Sequence, residues 1–119
     1  MAERRNRAPG EPETPELRRL RRRIDALDRR IVGLLNERAE LGRQVGRAKD
    51  EAGWRAIKDA EREREVLLRV SMGNAGPMPQ ADLLAIYRRL MAASRSLVVR
   101  DREAARRRST HGAEHDPGR

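Results

Sequence analysis

The segment from Leu17 to Lys49, LRRLRRRIDALDRRIVGLLNERAELGRQVGRAK, determines the fold that this sequence predicts. Its apolar residues recur at alternating steps of three and four, which is the spacing of one face of an α-helix, and no proline interrupts them. These seam residues are Leu17, Leu20, Ile24, Leu27, Ile31, Leu34, Leu41 and Val45. The segment therefore predicts one long amphipathic helix.

Cations lie on and beside this seam. Arg38 takes the seam position between Leu34 and Leu41, and a buried guanidinium needs an anionic partner because it cannot lose its proton. Lys49, one of two lysines in the chain, ends the segment, and Arg21 lies beside the seam near its start. A helix with cations along its inner face is suited to holding an anion.

The composition limits the fold class and the kinds of site. The chain of 119 residues has one Trp, one Tyr, no Phe and no Cys, so its core must be aliphatic, which suits packed helices. So small and polar a helical chain buries little surface alone, and the seam is expected to continue against a second copy. The lack of Cys excludes disulfides and thiolate metal sites. His111 and His115 stand in a Gly- and Pro-containing tail and predict no metal site.

The formal charge of +9 makes nucleic-acid binding a hypothesis. Stacking aromatic residues and the helix-turn-helix and zinc patterns are missing, however, so a solvated Arg-rich surface is the favoured interpretation. No segment is long and apolar enough to span a bilayer, and the N-terminus has no apolar leader. A cytoplasmic protein is therefore expected.

Three helices are predicted along the chain. Thr14 and Pro15 form a helix start, as N-cap and first helical residue. The helices are expected over residues 15 to about 50, 57 or 58 to about 72, and 80 to about 102. The tails, residues 1–14 and 103–119, are rich in charge and are expected to be disordered.

Polar residues interrupt the apolar faces of the two shorter helices. Asp59, Arg62 and Glu63 share a face with the later apolar residues of the second helix. This face either projects past the core or lines a polar pocket; from this segment alone, surface pairing of Arg62 with neighbouring glutamates is favoured. Ser94 is the polar member of the third helix's seam, where a serine usually bonds back to its own helix.

Three segments in this order resemble the all-helical (type II) chorismate mutases over residues 16–98: LRRRIDALDRRIVGLLNERAELGRQVGRAK, KDAEREREVLLRV and NAGPMPQADLLAIYRRLMAASRSL. The resemblance implies an all-α fold, one long and two shorter helices, in an intertwined homodimer whose long helices pair. It implies the rearrangement of chorismate to prephenate in phenylalanine and tyrosine biosynthesis, with no metal or other cofactor. Such an enzyme holds a flexible dianion in its reactive shape and stabilises charge on the breaking C–O bond.

The resemblance also implies roles for individual residues. Arg21 would reach across the dimer to one substrate carboxylate, and Arg38 would bind the other from within the subunit. Lys49 would contact the ether oxygen and a carboxylate. Asp59 and Glu63 would lie near the ring hydroxyl. Arg38, Lys49 and Glu63 form the implied catalytic set.

The remaining implied site residues include a departure from the family pattern. Arg62 would lie beside the carboxylates, and Ser94 would touch a substrate carboxylate. At Val98 the family usually has Gln or Glu, paired with the lysine across the ether oxygen. Losing one such donor costs ~3–4 kcal/mol, and three explanations stay open. Arg95 or Arg100 supplies the contact; a partner, such as another shikimate-pathway enzyme, completes a weak mutase; or the substrate is a relative, aminodeoxychorismate or isochorismate.

A rival hypothesis comes from another class of protein. The chain could be a helical dimer that serves as an interaction module, with Arg38 paired to a carboxylate of the seam. Replacing Arg38 by Leu would then be tolerated, since buried ion pairs are often replaceable by apolar residues.

Overall fold

The computed structural model describes the backbone of residues 8–114 and the side chains of residues 8–110. This part of the chain is helical and contains no strand. Its elements are α1 (Pro15–Glu51), α2 (Ala60–Gly73) and α3 (Gln80–Glu114). The predicted all-α class and the order of three helices are confirmed. No helix in the described range is long and apolar enough to cross a membrane, and the expected cytoplasmic location stays a prediction.

Helix α1 begins as the sequence predicts. The hydroxyl of Thr14 accepts a hydrogen bond from the backbone N–H of Leu17 at 3.1 Å, which caps the first turn. The helix ends at Glu51, and Gly53 follows with a φ of 86°. The backbone N–H of Trp54 then bonds to the carbonyl of Lys49 at 2.9 Å, so the end of α1 is closed by its own chain.

The internal contacts of the chain divide it into two units, of which the first ends at Leu34 and the second begins at Leu35. In the first unit the seam of α1 stays largely exposed. The side chains concerned are between 41% and 60% exposed: Leu20, Ile24, Leu27, Ile31 and Leu34. Beside this stripe, Arg21 pairs with Glu13 at 2.8 Å.

Helix α2 begins at Ala60, slightly later than the predicted start at Ile57 or Lys58. The reason is that Asp59 takes the N-cap position with an extended backbone, and its carboxylate accepts from the backbone N–H of Arg62 at 3.1 Å. A carboxylate at this place satisfies an otherwise unpaired donor and complements the helix dipole.

Helix α3 continues to Glu114, past the predicted end near Arg102. The expectation that residues 103–114 form a disordered tail is therefore wrong. The segment DREAARRRST, residues 101–110, contains strong helix formers and no Gly or Pro, so nothing local ends the helix. Residues 1–7 and 115–119 of the two predicted tails lie outside the described residues.

In the second unit, α1 and α3 pack closely because glycines of α1 face side chains of α3. Gly42 lies opposite Ser94, and Gly46 lies opposite Val98. A Cβ on Gly46 would come within 2.7 Å of a methyl group of Val98, so only glycine permits this approach. Both pairings advance by four residues on each helix, so the two helices run in the same direction. Val98 and Met91 are the buried apolar side chains of the described range.

A bidentate ion pair also joins these helices. Arg43 of α1 donates from Nε and Nη2 to the two carboxylate oxygens of Asp101 of α3, at 2.9 and 3.1 Å. The hydrogen bond from Arg43 is the main reason that the pKa of Asp101 lies below its usual value. The same bond raises the pKa of Arg43. Both residues line a second, smaller cavity of about 200 Å³.

Candidate active site

A cavity of about 310 Å³ lies in the second unit, bordered by the last turns of α1, the start of α2 and the middle of α3. Apolar residues such as Val98 and Met91 form part of its wall. Five cations and two carboxylates line the cavity, which gives it an excess of three positive charges. These residues are Arg38, Lys49, Arg62, Arg95 and Arg102, with Asp59 and Glu63. The lining is therefore suited to a ligand with more than one negative charge.

Lys49 reaches the cavity from the last turn of α1. Its ammonium lies 3.9 Å from a carboxylate oxygen of Asp59 and 5.2 Å from the centre of the Trp54 ring. The first distance is too long for a hydrogen bond. Among the described residues, Lys49 has no acceptor at hydrogen-bonding distance, so its donors can serve a ligand.

Arg38 borders the cavity from α1 and lies against an aromatic ring. The guanidinium carbon is 5.8 Å from the centre of the Tyr87 ring, within the range of a cation–π contact. Trp54 and Tyr87 are the only aromatic residues of the chain, and each contacts one cavity cation. No carboxylate among the described residues of this chain pairs with Arg38, and the pairing with a seam carboxylate in a dimer, which the interaction-module hypothesis proposes, stays a prediction.

Two residues of α2, Arg62 and Glu63, line the cavity, and each forms an ion pair with a different partner. Arg62 pairs with Glu65 at 3.0 Å, as the surface interpretation predicts, and it also lines the cavity. Glu63 accepts a hydrogen bond from Arg95 of α3. Arg95 is thus in the cavity but already bound to a carboxylate, whereas Arg100, the other candidate for the missing donor, is exposed and does not line the cavity.

Ser94 and Val98 line the cavity from α3. The expected back-bond of Ser94 to its own helix is not formed; instead the neighbouring Ser96 donates to the carbonyl of Ala92 at 3.2 Å. Val98 is only 8% exposed because it packs on Gly46. This position therefore offers methyl groups and no hydrogen-bond donor.

Seven of the eight site residues expected from the sequence thus line one cavity: Arg38, Lys49, Asp59, Arg62, Glu63, Ser94 and Val98. The eighth, Arg21, belongs to the unit that ends at Leu34, and its role across a dimer stays a prediction. Sequence reasoning missed Arg102. Arg102 lies four residues after Val98, so the spacing indicates the same face of the third helix. The helix was expected to end near this residue, however, and Arg102 was therefore not predicted as a site residue.

No group of three side chains that could hold a metal ion occurs in the described part of the chain. The side chains of His111 and His115, for which the sequence predicts no metal site, lie outside it.

The family model described as chorismate mutase type II matches residues 20–99. Two curated relatives are bifunctional chorismate mutase/prephenate dehydratases. The protein from Aquifex aeolicus (strain VF5) is 41% identical over 86 residues, and that from Stutzerimonas stutzeri is 36% identical over 90 residues. These matches cover 69% and 71% of this chain but 24% of each relative, so the chain spans about a quarter of their length.

A solved structure is similar in fold. Chorismate mutase (Form II) from Thermus thermophilus aligns with a TM-score of 0.68 and 32% sequence identity. The alignment covers 71% of this chain and 96% of that chain. Together with the match over residues 20–99, which includes most of the cavity lining, this likeness shows that the chain belongs to the chorismate mutase type II family.

Proposed function

We propose that the chain catalyses the rearrangement of chorismate to prephenate. The observation that carries the proposal is the cavity, whose lining has an excess of three positive charges. All of its charged residues except Arg102 fall within residues 20–99, the range that matches the family. Family membership and a cavity suited to a dianion therefore support the same function.

The reaction needs positioning and charge stabilisation rather than proton transfer. In this unimolecular step a C–O bond breaks and a C–C bond forms within one molecule, and no electron donor or proton acceptor takes part. Arg38 is proposed to bind one carboxylate with its planar fork. Lys49 is proposed to donate to the ether oxygen, where negative charge develops in the transition state.

The polar residues of α2 and α3 are proposed to orient the ring. Asp59 and Glu63 would lie near the ring hydroxyl, which can donate its one hydrogen to either carboxylate, and their positions are fixed by other contacts. Asp59 is held as the N-cap of α2, and Glu63 is held by Arg95. Ser94, which has no hydrogen-bond partner among the described residues, would donate to a substrate carboxylate.

We also propose that the active form is a homodimer built on the exposed stripe of α1. The stripe contains Leu20, Ile24, Leu27, Ile31 and Leu34, each at least 41% exposed, at alternating steps of four and three. Helices with this repeat bury it by pairing, and two copies of one stripe form a self-complementary interface. In such a dimer Arg21 would serve the cavity of the other subunit.

The function is tested by incubating purified protein with chorismate and following the loss of chorismate absorbance. The product is identified as prephenate by its conversion to phenylpyruvate in acid. Turnover well above the uncatalysed rate supports the proposal. A folded protein without turnover contradicts it, and aminodeoxychorismate, isochorismate and a mixture with a shikimate-pathway enzyme then test the alternatives that Val98 leaves open.

A further inference from the structure

Arg102 of α3 is a largely buried cation with unsatisfied donors. Its side chain is 14% exposed, and its Nη1 donates to the backbone carbonyl of Arg55 at 3.0 Å. Its Nε and Nη2 are buried and have no hydrogen-bond acceptor among the described residues. A carboxylate oxygen of Asp50 lies 3.9 Å from Nε, which is beyond hydrogen-bonding distance. Because a guanidinium stays charged, unmet donors at such a buried position are costly.

The two unsatisfied atoms form one side of the guanidinium fork. Arg43 shows what this side can bind: its Nε and Nη2 hold both carboxylate oxygens of Asp101, at 2.9 and 3.1 Å. Arg102 presents the same pair of atoms, but its nearest carboxylate, that of Asp50, lies 3.9 Å from Nε and accepts no hydrogen bond from either atom. The chemistry that fits the unused fork is therefore a carboxylate oxygen pair.

Arg102 is placed at the end of the cavity that carries Lys49. On α3 it lies one helical turn beyond Val98, and on α1 the turn beyond Gly46 brings Asp50 to Arg102. Lys49 is the neighbour of Asp50 in the sequence. Arg102 lines the cavity, although it lies outside the residues that match the family model.

We propose that Arg102 is a substrate-binding residue whose Nε and Nη2 bind a carboxylate of the dianion at the Lys49 end of the cavity. It supplies a donor one turn beyond Val98, whose methyl groups offer none. The fork is shielded from solvent, so the guanidinium must turn toward the cavity when the ligand binds. This inference rests on the proposed function, because the carboxylate belongs to chorismate or prephenate.

The alternative is a purely structural role, in which Arg102 pairs with Asp50 and holds the carbonyl of Arg55. Two substitutions at Arg102 separate the possibilities. Arg102→Met removes the charge at similar length, and Arg102→Lys keeps the charge but removes the fork. Arg100→Met is the matched control, since this arginine is exposed on the same helix and lines neither cavity. Asp50→Asn removes the structural partner.

Steady-state kinetics with chorismate give the first result. We expect Arg102→Met to lower kcat/KM by about 10- to 100-fold, the usual effect of losing a hydrogen bond to a charged group. Arg102→Lys should recover part of the loss, while Arg100→Met and Asp50→Asn should stay within about twofold of the wild type. Wild-type kcat and KM in Arg102→Met would overturn the proposal, as would an equal loss in Asp50→Asn.

The second result is spectroscopic and does not depend on turnover. The Nε–H resonance of Arg102, assigned by its loss from the proton–nitrogen spectrum of Arg102→Lys, should shift downfield when prephenate is added to wild type and to Asp50→Asn. The proposal would be overturned if the resonance did not shift when prephenate is added and shifted only because of the Asp50→Asn substitution. If the wild type shows no turnover, the proposed function fails separately. The resonance is then titrated with malate, and an unmoved signal overturns the Arg102 inference too.

Discussion

The two halves of α1 share one apolar period but differ in the residues that flank it. Up to Leu34, the seam consists of large aliphatic side chains that remain about half exposed. From Leu35 onward, the seam residues Leu41 and Val45 are also 60% and 53% exposed, but Gly42 and Gly46 beside them let α3 approach. Large side chains make a surface that another apolar surface can cover, whereas small ones let a second helix close around a cavity. One helix can therefore serve assembly at one end and ligand binding at the other.

The largest expected effect comes from removing the cation at the cavity end. Lys49→Ala should lower kcat by about 100- to 1,000-fold, because the developing charge on the ether oxygen loses its donor. Circular dichroism and molecular mass should be unchanged. Lys58→Ala is the matched control, since the other lysine of the chain lies outside the cavity. Unchanged turnover in Lys49→Ala would sink the assignment of this residue.

The second prediction concerns the exposed apolar stripe in the first half of α1. Ile31→Glu should raise the subunit dissociation constant by about 100-fold or more, because an apolar side chain is lost from both copies of a symmetric interface. Analytical ultracentrifugation over a range of concentrations measures the change. Arg29→Glu, a charge change away from the stripe, should leave the mass distribution as in wild type. Identical behaviour of the two variants would contradict the proposed dimer.

The third prediction compares two glycines of the same helix. Gly46→Ala should lower the free energy of unfolding by about 1 kcal/mol or more, since overpacking against Val98 costs ~1–3 kcal/mol and exceeds the gain in helix propensity. Gly33→Ala should raise it by about 0.5–1 kcal/mol, because no described atom lies within 4 Å of the added Cβ. Urea unfolding at one protein concentration measures both.

The sign of each change tests the comparison. A stabilising Gly46→Ala would mean that α1 and α3 can separate without cost. A destabilising Gly33→Ala would mean that another surface approaches the exposed half at this glycine. The double variant Gly46→Ala/Val98→Ala should recover part of the loss, because removing the valine methyl groups relieves the overlap.

The smallest expected effect concerns the ion pair between α1 and α3. The pKa of Asp101 is lowered by its hydrogen bond from Arg43, so the pair stabilises the folded state when the carboxylate is ionised. This contribution is complete above the ordinary pKa of aspartate, about 3.9, and is lost as the pH falls through the lower pKa of the folded state. Asp101→Asn should therefore be less stable than wild type at pH 7.

Urea midpoints measured between pH 7 and about pH 2 give the test, since the difference should shrink below the ordinary pKa. Arg43→Met removes the partner instead of the carboxylate and should give the same pH dependence. A difference between Asp101→Asn and wild type that does not change with pH would show that the ion pair does not cause it.

The sequence predicts many of the residues that line the cavity, but it does not predict the shape of the cavity. Arg38 and Lys49 are identified by their place on the seam, and the charged start of α2 draws attention to Glu63. The resemblance to a known family adds the expected roles, which stay predictions. Spacing along one helix, however, does not tell which turn of another helix lies opposite. The pairing of Glu63 with Arg95 and the burial of Val98 could not be read from it.

The sequence by itself determined what is local: three helices in order, the cap at Thr14 and the period of the α1 seam. These follow from residues within one or two turns of each other, so they need no knowledge of the rest of the chain. Only the tertiary structure decided the register of α1 against α3, because it depends on the fit of Gly46 to Val98, far apart in sequence. That register, with α3 continuing past its expected end, brings Arg102 to the cavity at the level of Lys49.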